Sequence, residues 1–381
     1  MTNKTQHRFL LSGGGTGGHI FPALAIADEL KTRFPDAEFL FIGASDKMEM
    51  QKIPHEGYKI KGLWISGIER SLSMKNVAFP FKVLSSLKDS YKIIKEFNPT
   101  CAIGTGGFAS GPALWVAAKL GVPIFLQEQN SFPGITNKFL ASHAKKIFVA
   151  YNGMEKFFAK EKIVVSGNPV RNIFNSAISK EKAIEFFDLD KDKITILSIG
   201  GSLGSKTLNT AWYKHIQKIS SKNVQLIWQT GSLEYEKIIN NFMGIEGSPA
   251  ASELQNLLPN LAIKEFIYEM DKAFTAADII VSRAGAIAIS ELCLAGKPTI
   301  LVPYPYAAED HQTKNAENLV HNNAAIMIHD ANFIENADKI VIDLIEDSAK
   351  QKIMSENIKK LAKPNATKEI VDEIVKVISK K

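Results

Sequence analysis

Two cysteines in 381 residues, Cys101 and Cys293, are too few for a disulfide framework. One falls in an apolar strand-like run and the other in a helix-like one, so a reducing compartment fits better than a secreted, cross-linked domain. No run approaches the ~18 apolar residues that a membrane-spanning helix needs, and MTNKTQHRFLLSGGG has too short an apolar stretch for a signal peptide. There is no low-complexity tract. The one D-x-D pattern, DLD at 188–190, lies in the charged stretch FDLDKDK before a strand and reads as solvated surface, so no metal site is expected. Charge of one sign is only mildly in excess. A net +6 favours anionic partners without choosing among nucleic acid, lipid headgroups and phosphorylated substrates. These absences leave a cytoplasmic protein, soluble or peripheral to a membrane.

What is present is a normal globular composition, 45% hydrophobic and 23% charged, in a chain long enough for two domains. Short apolar runs alternate with helical patterns. HRFLLS (7–12), EFLFIG (38–43), TCAIG (100–104), PIFLQE (123–128), KKIFVA (145–150) and KIVVSG (162–167) read as strands, with Pro22–Arg33 and Pro112–Leu120 among the helices between them. The second half repeats the style in KITILSIG (193–200), QLIWQTG (225–231), AIKEFI (262–267), DIIVS (278–282) and TILVPY (299–304). Strands without apolar/polar alternation imply parallel sheets covered on both faces, and βα alternation implies doubly wound folds. The expected organisation is a Rossmann-like domain over 1–169, a second over 170–363, and a C-terminal helix within 364–381 that packs back on the first. Residues 244–260 read as a surface loop.

Three glycine-rich turns each follow a strand: LLSGGGTGG (11–18 and flank), GTGGFASGP (104–112) and GGSLGS (200–205). Gly13, Gly15 and Gly18 have G-x-G-x-x-G spacing, which suits a diphosphate at a helix N-terminus. A dinucleotide site also wants an acid at the end of the second strand; here the strand ends in Gly43, Ala44 and Ser45, with Asp46 late. His19 follows the glycines at the start of a helix placed near Phe21–Pro22. The helix dipole disfavours imidazolium there, so His19 reads either as a neutral general base or as a residue that caps the turn. Ser202 suits a phosphate oxygen or a helix cap. In SRAGAIAISELCLAG (282–296), Ala284–Ala286 permit close backbone approach, and Glu291 is placed to hold ribose hydroxyls or to remain a solvated helix charge. EDHQTKNAENL (309–319) puts His311, Gln312 and Asn315 at another helix start.

Taken in order, GGTGGH (14–19), GTGGFASGP (104–112), EQN (128–130), GNPVR (167–171), GGSLGS (200–205), SRAGA-x4-E (282–291) and HQ-x2-NA (311–316) resemble the MurG family over about residues 8–320. Those enzymes add N-acetylglucosamine to the undecaprenyl-diphosphate muramoyl-pentapeptide, the lipid I to lipid II step of peptidoglycan biosynthesis. The resemblance implies an α/β fold of GT-B type, two Rossmann-like doubly wound domains facing a cleft. It implies UDP-N-acetylglucosamine as donor, no cofactor, and an inverting displacement in which His19 deprotonates the muramoyl 4-hydroxyl. Carried over by motif, Ile267 would meet uracil through its backbone and Glu291 the ribose. Ser202 and Arg171 would meet the diphosphate, with Ala286, Ile287 and Ala288 approaching it by backbone. Gln312 would bind sugar hydroxyls, and Asn130 with Thr16, Gly17 and Gly18 would border the transferred sugar. Gly14, Gly15, Gly106, Gly107, Phe108, Ser110 and Gln127 would lie toward the acceptor. The first loop is then a phosphate cradle rather than a nicotinamide one. Three positions depart from the family's usual pattern: Gln127 stands for His, Phe108 for Tyr and Ala288 for Thr.

Residues 70–95 carry Arg70, Lys75, Lys82, Lys88, Lys92 and Lys95 against one acid, Asp89, with Leu72, Met74, Val77, Phe79 and Phe81 interleaved. Leu84, Leu87, Tyr91 and Ile94 share one helical face and are expected to pack inward, which leaves the preceding loop to touch acyl chains. An anionic membrane surface at the cytoplasmic face of the plasma membrane is the partner this implies. Other cell-wall synthesis proteins are candidate partners, and nucleic acid is not.

Overall fold

The first strand, β1 (Arg8–Gly13), has no polar face to offer water: five of its six residues are buried. Such a strand is stable only between two covering layers, and the computed structural model supplies them throughout. It describes residues 6–67, 78–170, 178–201, 203–243, 256–307 and 310–380. Chain order begins β1, α1 (Gly17–Arg33), β2 (Glu38–Ala44), α2 (Glu49–His55), β3 (Lys59–Leu63), α3 (Phe79–Phe97), β4 (Cys101–Gly106), α4 (Ser110–Lys119), β5 (Ile124–Glu128), α5 (Ile135–Leu140), β6 (Lys146–Val149) and β7 (Ile163–Val165). It continues with α6 (Lys180–Phe186), β8 (Ile194–Ile199), α7 (Lys206–Ser220), β9 (Val224–Gln229), α8 (Tyr235–Met243), β10 (Leu261–Lys264), α9 (Met270–Ala276), β11 (Ile279–Ser282), α10 (Ala286–Ala295), β12 (Thr299–Leu301), α11 (His311–His321), β13 (Ile326–Met327), α12 (Asp330–Glu346), α13 (Ser348–Lys360) and α14 (Ala366–Ile378).

The chain divides into two compact units, Met1–Arg171 with Lys363–Lys381, and Asn172–Ala362. Among the described residues each holds one parallel sheet, of order β3-β2-β1-β4-β5-β6-β7 in the first and β10-β9-β8-β11-β12-β13 in the second. Both are Rossmann-like. In each, strand order reverses beside the first strand, at β1/β4 and at β8/β11. That reversal opens the carboxyl edge, where doubly wound sheets take their ligands. The glycine turns after β1 and β4 flank one reversal; the GGSLGS and SRAGA turns flank the other.

Each sheet has an apolar layer on both faces. In the first unit the second layer includes Ile370, Val371, Ile374 and Ile378 of α14, packed with Ile20, Leu24, Ala27 and Leu30 of α1. Arg33 of α1 pairs with Asp372 of α14, and Thr367 donates to the Val170 carbonyl at 3.1 Å.

Several details differ from the expectations. Helix α1 begins at Gly17, and Pro22 lies inside it. The extended backbone of Thr16 (φ −147°, ψ 159°) starts the helix, and Pro22 there forfeits only one backbone hydrogen bond. Helix α4 likewise begins at Ser110, before Pro112. Strands β3 and β13 were not expected: KIKGL is largely solvent-exposed, and β13 is two residues at a sheet edge. On α3 the buried face is Ser86, Ser90, Ile93 and Ile94, with Val83, Leu87 and Phe97 packed against the core. Leu84 (66% exposed) and Tyr91 (47%) therefore face solvent, contrary to expectation. Ser86 and Ser90 occupy part of the buried face, and Leu84 and Tyr91 are turned outward. The loop residues Arg70, Leu72, Met74, Lys75 and Val77, and most of the expected loop at 244–260, lie outside the described residues.

Candidate functional site

In the first unit two glycine turns interlock. Gly14 N donates to Gly106 O at 3.3 Å. Gly106 and Gly107 have φ of +105° and +91°, and a Cβ on Gly107 would stand 2.4 Å from Gly14 O. Only glycine meets both requirements. His19 is the third residue of α1 and is partly buried. Its Nδ1 lies 3.0 Å from Gly14 O, and Thr105 Oγ1 donates to the His19 carbonyl at 2.6 Å. A carbonyl only accepts, so Nδ1 carries the proton and Nε2 keeps the lone pair. A Cβ on Gly106 would stand 2.9 Å from that Nε2. Burial of the ring lowers the His19 pKa below its ordinary 6.5, outweighing the opposite pulls of Glu128, of the Gly14 bond and of Glu49. The imidazole is neutral at pH 7, with its basic nitrogen fixed.

The EQN segment is tied down by its own acid. Glu128 accepts from Asn130 N at 3.0 Å, Gly134 N at 3.1 Å and Asn137 Nδ2 at 2.9 Å, which sets the turn that carries Asn130. Gln129 donates to the Thr105 carbonyl. Two residues expected at the acceptor are placed elsewhere. Ser110 is fully buried, with its hydroxyl 2.7 Å from Ser12 O and 2.8 Å from Gly106 O, so it ties the ends of β1 and β4 together. Gln127 is fully buried and donates to Asn168 Oδ1 at 3.0 Å. Asn168 in turn donates to Gln129 O at 3.3 Å, so GNPVR serves to brace EQN. Phe108 is about half exposed. Arg171 lies outside the described residues.

In the second unit the turn after β8 is held by Gln229, the last residue of β9. Its Nε2 donates to Gly201 O at 2.8 Å, and its Oε1 accepts from Ile267 N at 3.1 Å. One amide thus joins the diphosphate-type loop to the segment expected near a nucleobase, and leaves Ile267 its carbonyl to offer. Ser205 caps α7 by accepting from Leu208 N; Ser202 lies outside the described residues. Ala286, Ile287 and Ala288 form the first turn of α10 behind Gly285, with Glu291 half-buried one turn further. The start of α11 grips the same turn: Gln312 Oε1 accepts from Ala284 N at 3.2 Å and Tyr304 N at 2.9 Å, and Asn315 Nδ2 donates to Ala284 O at 3.1 Å. With its oxygen committed twice, Gln312 presents its amide NH2 as a donor only. Among the described residues no group of three or more His, Cys, Asp or Glu is placed to hold a metal ion.

The sequence reading missed Thr105, Glu128, Gln229, Arg283 and Glu49. Arg283 is buried and binds Val302 O at 2.9 Å and Asp330, which fixes the ends of β11 and β12. Glu49 is fully buried, whereas Asp46, the acid weighed for a ribose, is exposed. The available signal was position: Glu49 and Ile53 are four apart on one face of α2, so the acid points the same way as a core residue.

Residues 9–149 match the glycosyltransferase family 28 N-terminal domain and 195–370 its C-terminal domain. A protein of Flavobacterium psychrophilum, named UDP-N-acetylglucosamine–N-acetylmuramyl-(pentapeptide) pyrophosphoryl-undecaprenol N-acetylglucosamine transferase, is 50% identical over 98% of this chain and 98% of its own. Its namesake in Parabacteroides distasonis is 49% identical over 99% and 100%. The crystal structure of Acinetobacter baumannii MurG superposes with a TM-score of 0.68 at 27% identity, covering 97% of this chain and 99% of that one. The chain belongs to glycosyltransferase family 28 and, within it, to the MurG family of UDP-sugar transferases.

Proposed function

We propose that this protein transfers N-acetylglucosamine from UDP-N-acetylglucosamine to the 4-hydroxyl of a lipid-linked muramoyl-pentapeptide, with inversion. The observation that carries the chemistry is His19: a neutral ring whose Nδ1–H is bound to Gly14 O and whose Nε2 is left basic. That nitrogen takes the hydroxyl proton as the oxygen attacks the sugar's anomeric carbon and UDP departs. Gly14, Gly15, Gly106, Gly107 and Phe108 face the acceptor in this reading, and Thr16, Gly17, Gly18 and Asn130 border the sugar. In the second unit the Ile267 carbonyl reads the uracil, Glu291 the ribose and Gln312 the sugar hydroxyls. Ser202, Arg171 and the first turn of α10 neutralise the diphosphate, work that helix N-termini and a guanidinium suit. Purified protein is expected to move labelled N-acetylglucosamine from the UDP donor onto a short-chain lipid acceptor; no transfer across a range of detergents refutes the assignment.

The lipid substrate calls for a membrane-facing surface, and α3 supports one. Phe81, Leu84, Lys88, Tyr91 and Lys95 recur at helical spacing on its exposed side, with Lys92 beside them. Apolar side chains enter the headgroup layer, while each lysine near an anionic surface adds about 1 kcal/mol. No described helix is long and apolar enough to cross a membrane; the attachment in this reading is peripheral, at the cytoplasmic face of the plasma membrane. Replacing Phe81 and Leu84 by Ser is expected to cut binding to anionic vesicles several-fold, as read by sedimentation, with transfer to a detergent-soluble acceptor unchanged. Undiminished sedimentation removes α3 from the proposal.

A further inference from the structure

Glu49 stands first in α2 and is fully buried, yet neither of its oxygens is spare. Oε1 accepts from Ala44 N, at the end of β2, at 2.9 Å; Oε2 accepts from Gly15 N at 2.9 Å. The Gly15 N–H and the Gly14 C=O belong to one peptide group, and that carbonyl is the acceptor for His19 Nδ1 at 3.0 Å. Carboxylate, peptide and imidazole therefore form a single chain of hydrogen bonds. The glycines make it possible. A Cβ on Gly14 would stand 2.0 Å from Glu49 Oε1, and Gly15 has φ of +85°.

We propose that Glu49 is a positioning residue for the transfer, acting on His19 through the Gly14–Gly15 peptide. A bond from the N–H to a carboxylate shifts peptide electron density onto the carbonyl oxygen and makes it a stronger acceptor, since hydrogen bonds in series polarise one another. A stronger acceptor at Gly14 O holds the Nδ1–H tautomer, fixes the ring and favours the imidazolium formed when Nε2 takes the proton. No proton passes along the chain; the only proton moved is the one taken from the hydroxyl. The arrangement parallels the carboxylate that orients a catalytic imidazole in serine hydrolases, with a peptide inserted between the two. Two acids bear on His19: Glu49 from α2 and Glu128 from the end of β5. The bonds of Glu128 go to Asn130, Gly134 and Asn137, so it acts on the ring through space and the effect of Glu49 on the tautomer is its own.

This inference rests on His19 being the base, and the test separates the two. In the wild-type protein, nitrogen NMR of His19 is expected to show the Nδ1–H tautomer, and the Gly15 amide proton is expected well downfield and slow to exchange. In Glu49→Gln, which removes the charge and puts an NH2 where one of the two accepting oxygens stood, the Gly15 resonance should move upfield and the Nδ1–H tautomer should lose its dominance. Turnover should fall about tenfold, a share of the roughly 10²–10⁴ that a positioned base supplies. The acid limb of the rate against pH should move to lower pH, while KM for the donor stays unchanged. An Nε2–H tautomer in the wild type overturns the proposal. So does a Glu49→Gln protein that loses activity with the Gly15 resonance, tautomer and acid limb unmoved, because that is scaffolding alone. Full activity in a parallel His19→Gln variant refutes the base reading, whereas the two wild-type NMR signatures need no turnover and judge Glu49 independently.

Discussion

Both units send their first strand into a glycine turn that opens a helix, yet the two turns are wired differently. After β1 the turn is gripped by charged and neighbouring groups: Gly15 N is bound by the Glu49 carboxylate of α2, Gly14 O receives His19, and Gly107 of the turn after β4 packs against Gly14. After β8 the turn closes on itself through Gly204 N and Gly201 O at 3.0 Å, and the brace from outside is a neutral amide, Gln229, on the same carbonyl. A strand–glycine–helix signature therefore describes a backbone shape, not a ligand. With a buried carboxylate inside it the shape aims a side chain; with a neutral brace behind it the shape remains suited to an anion.

The largest expected effect tests the first turn. His19→Ala should lower turnover by about 10²–10⁴ while calorimetry gives near-normal UDP binding; weakened UDP binding would erase the division of labour between the turns. In the wild type, the low pKa of His19 means that the rate should fall only as pH drops below the ordinary 6.5, where the ring protonates and Nε2 is lost as a base. A limb above that value contradicts the desolvated ring. Next in size, Glu291→Ala should weaken UDP binding roughly tenfold, the worth of a hydrogen bond to a charged group, without moving the acid limb. Unchanged affinity removes the ribose role. The smallest effect is expected at Gln229→Leu, which strands Ile267 N and leaves Gly201 O only the bond from Gly204 N: thermal unfolding should report a loss of about 1–3 kcal/mol, and KM for the donor should rise modestly. If that variant shifted the His19 limb instead, the two turns would not be separate devices.

Strands buried on both faces were legible because continuous apolar runs such as FLLS and ITIL have few alternatives, and the order of the glycine turns led to the right family. What stayed hidden was of two kinds. KIKGL of β3 lacks an apolar face because it is largely exposed, so periodicity has nothing to register. The bracing residues were hidden for a different reason. Glu49, Gln229 and Asn168 are polar side chains whose role lies in long-range bonds, 34 residues from Gly15 and 38 from Ile267 in two cases, and no local pattern announces them. On α3 the expected inward stripe was half right: Leu87 and Ile94 do pack inward, but Leu84 and Tyr91 face solvent, because Ser86 and Ser90 share the buried face and serine does not advertise burial.

The helix at the end of the chain fills a gap in the core at its beginning. Ile370, Val371, Ile374 and Ile378 supply four buried aliphatic side chains to the layer over β1, each worth about 1.5–3 kcal/mol. During synthesis the amino-terminal unit must wait for Ala366–Ile378 to emerge before it can close, whereas the second unit is contiguous and can complete itself first. A truncation before Ala366 therefore damages the half of the molecule that is translated first.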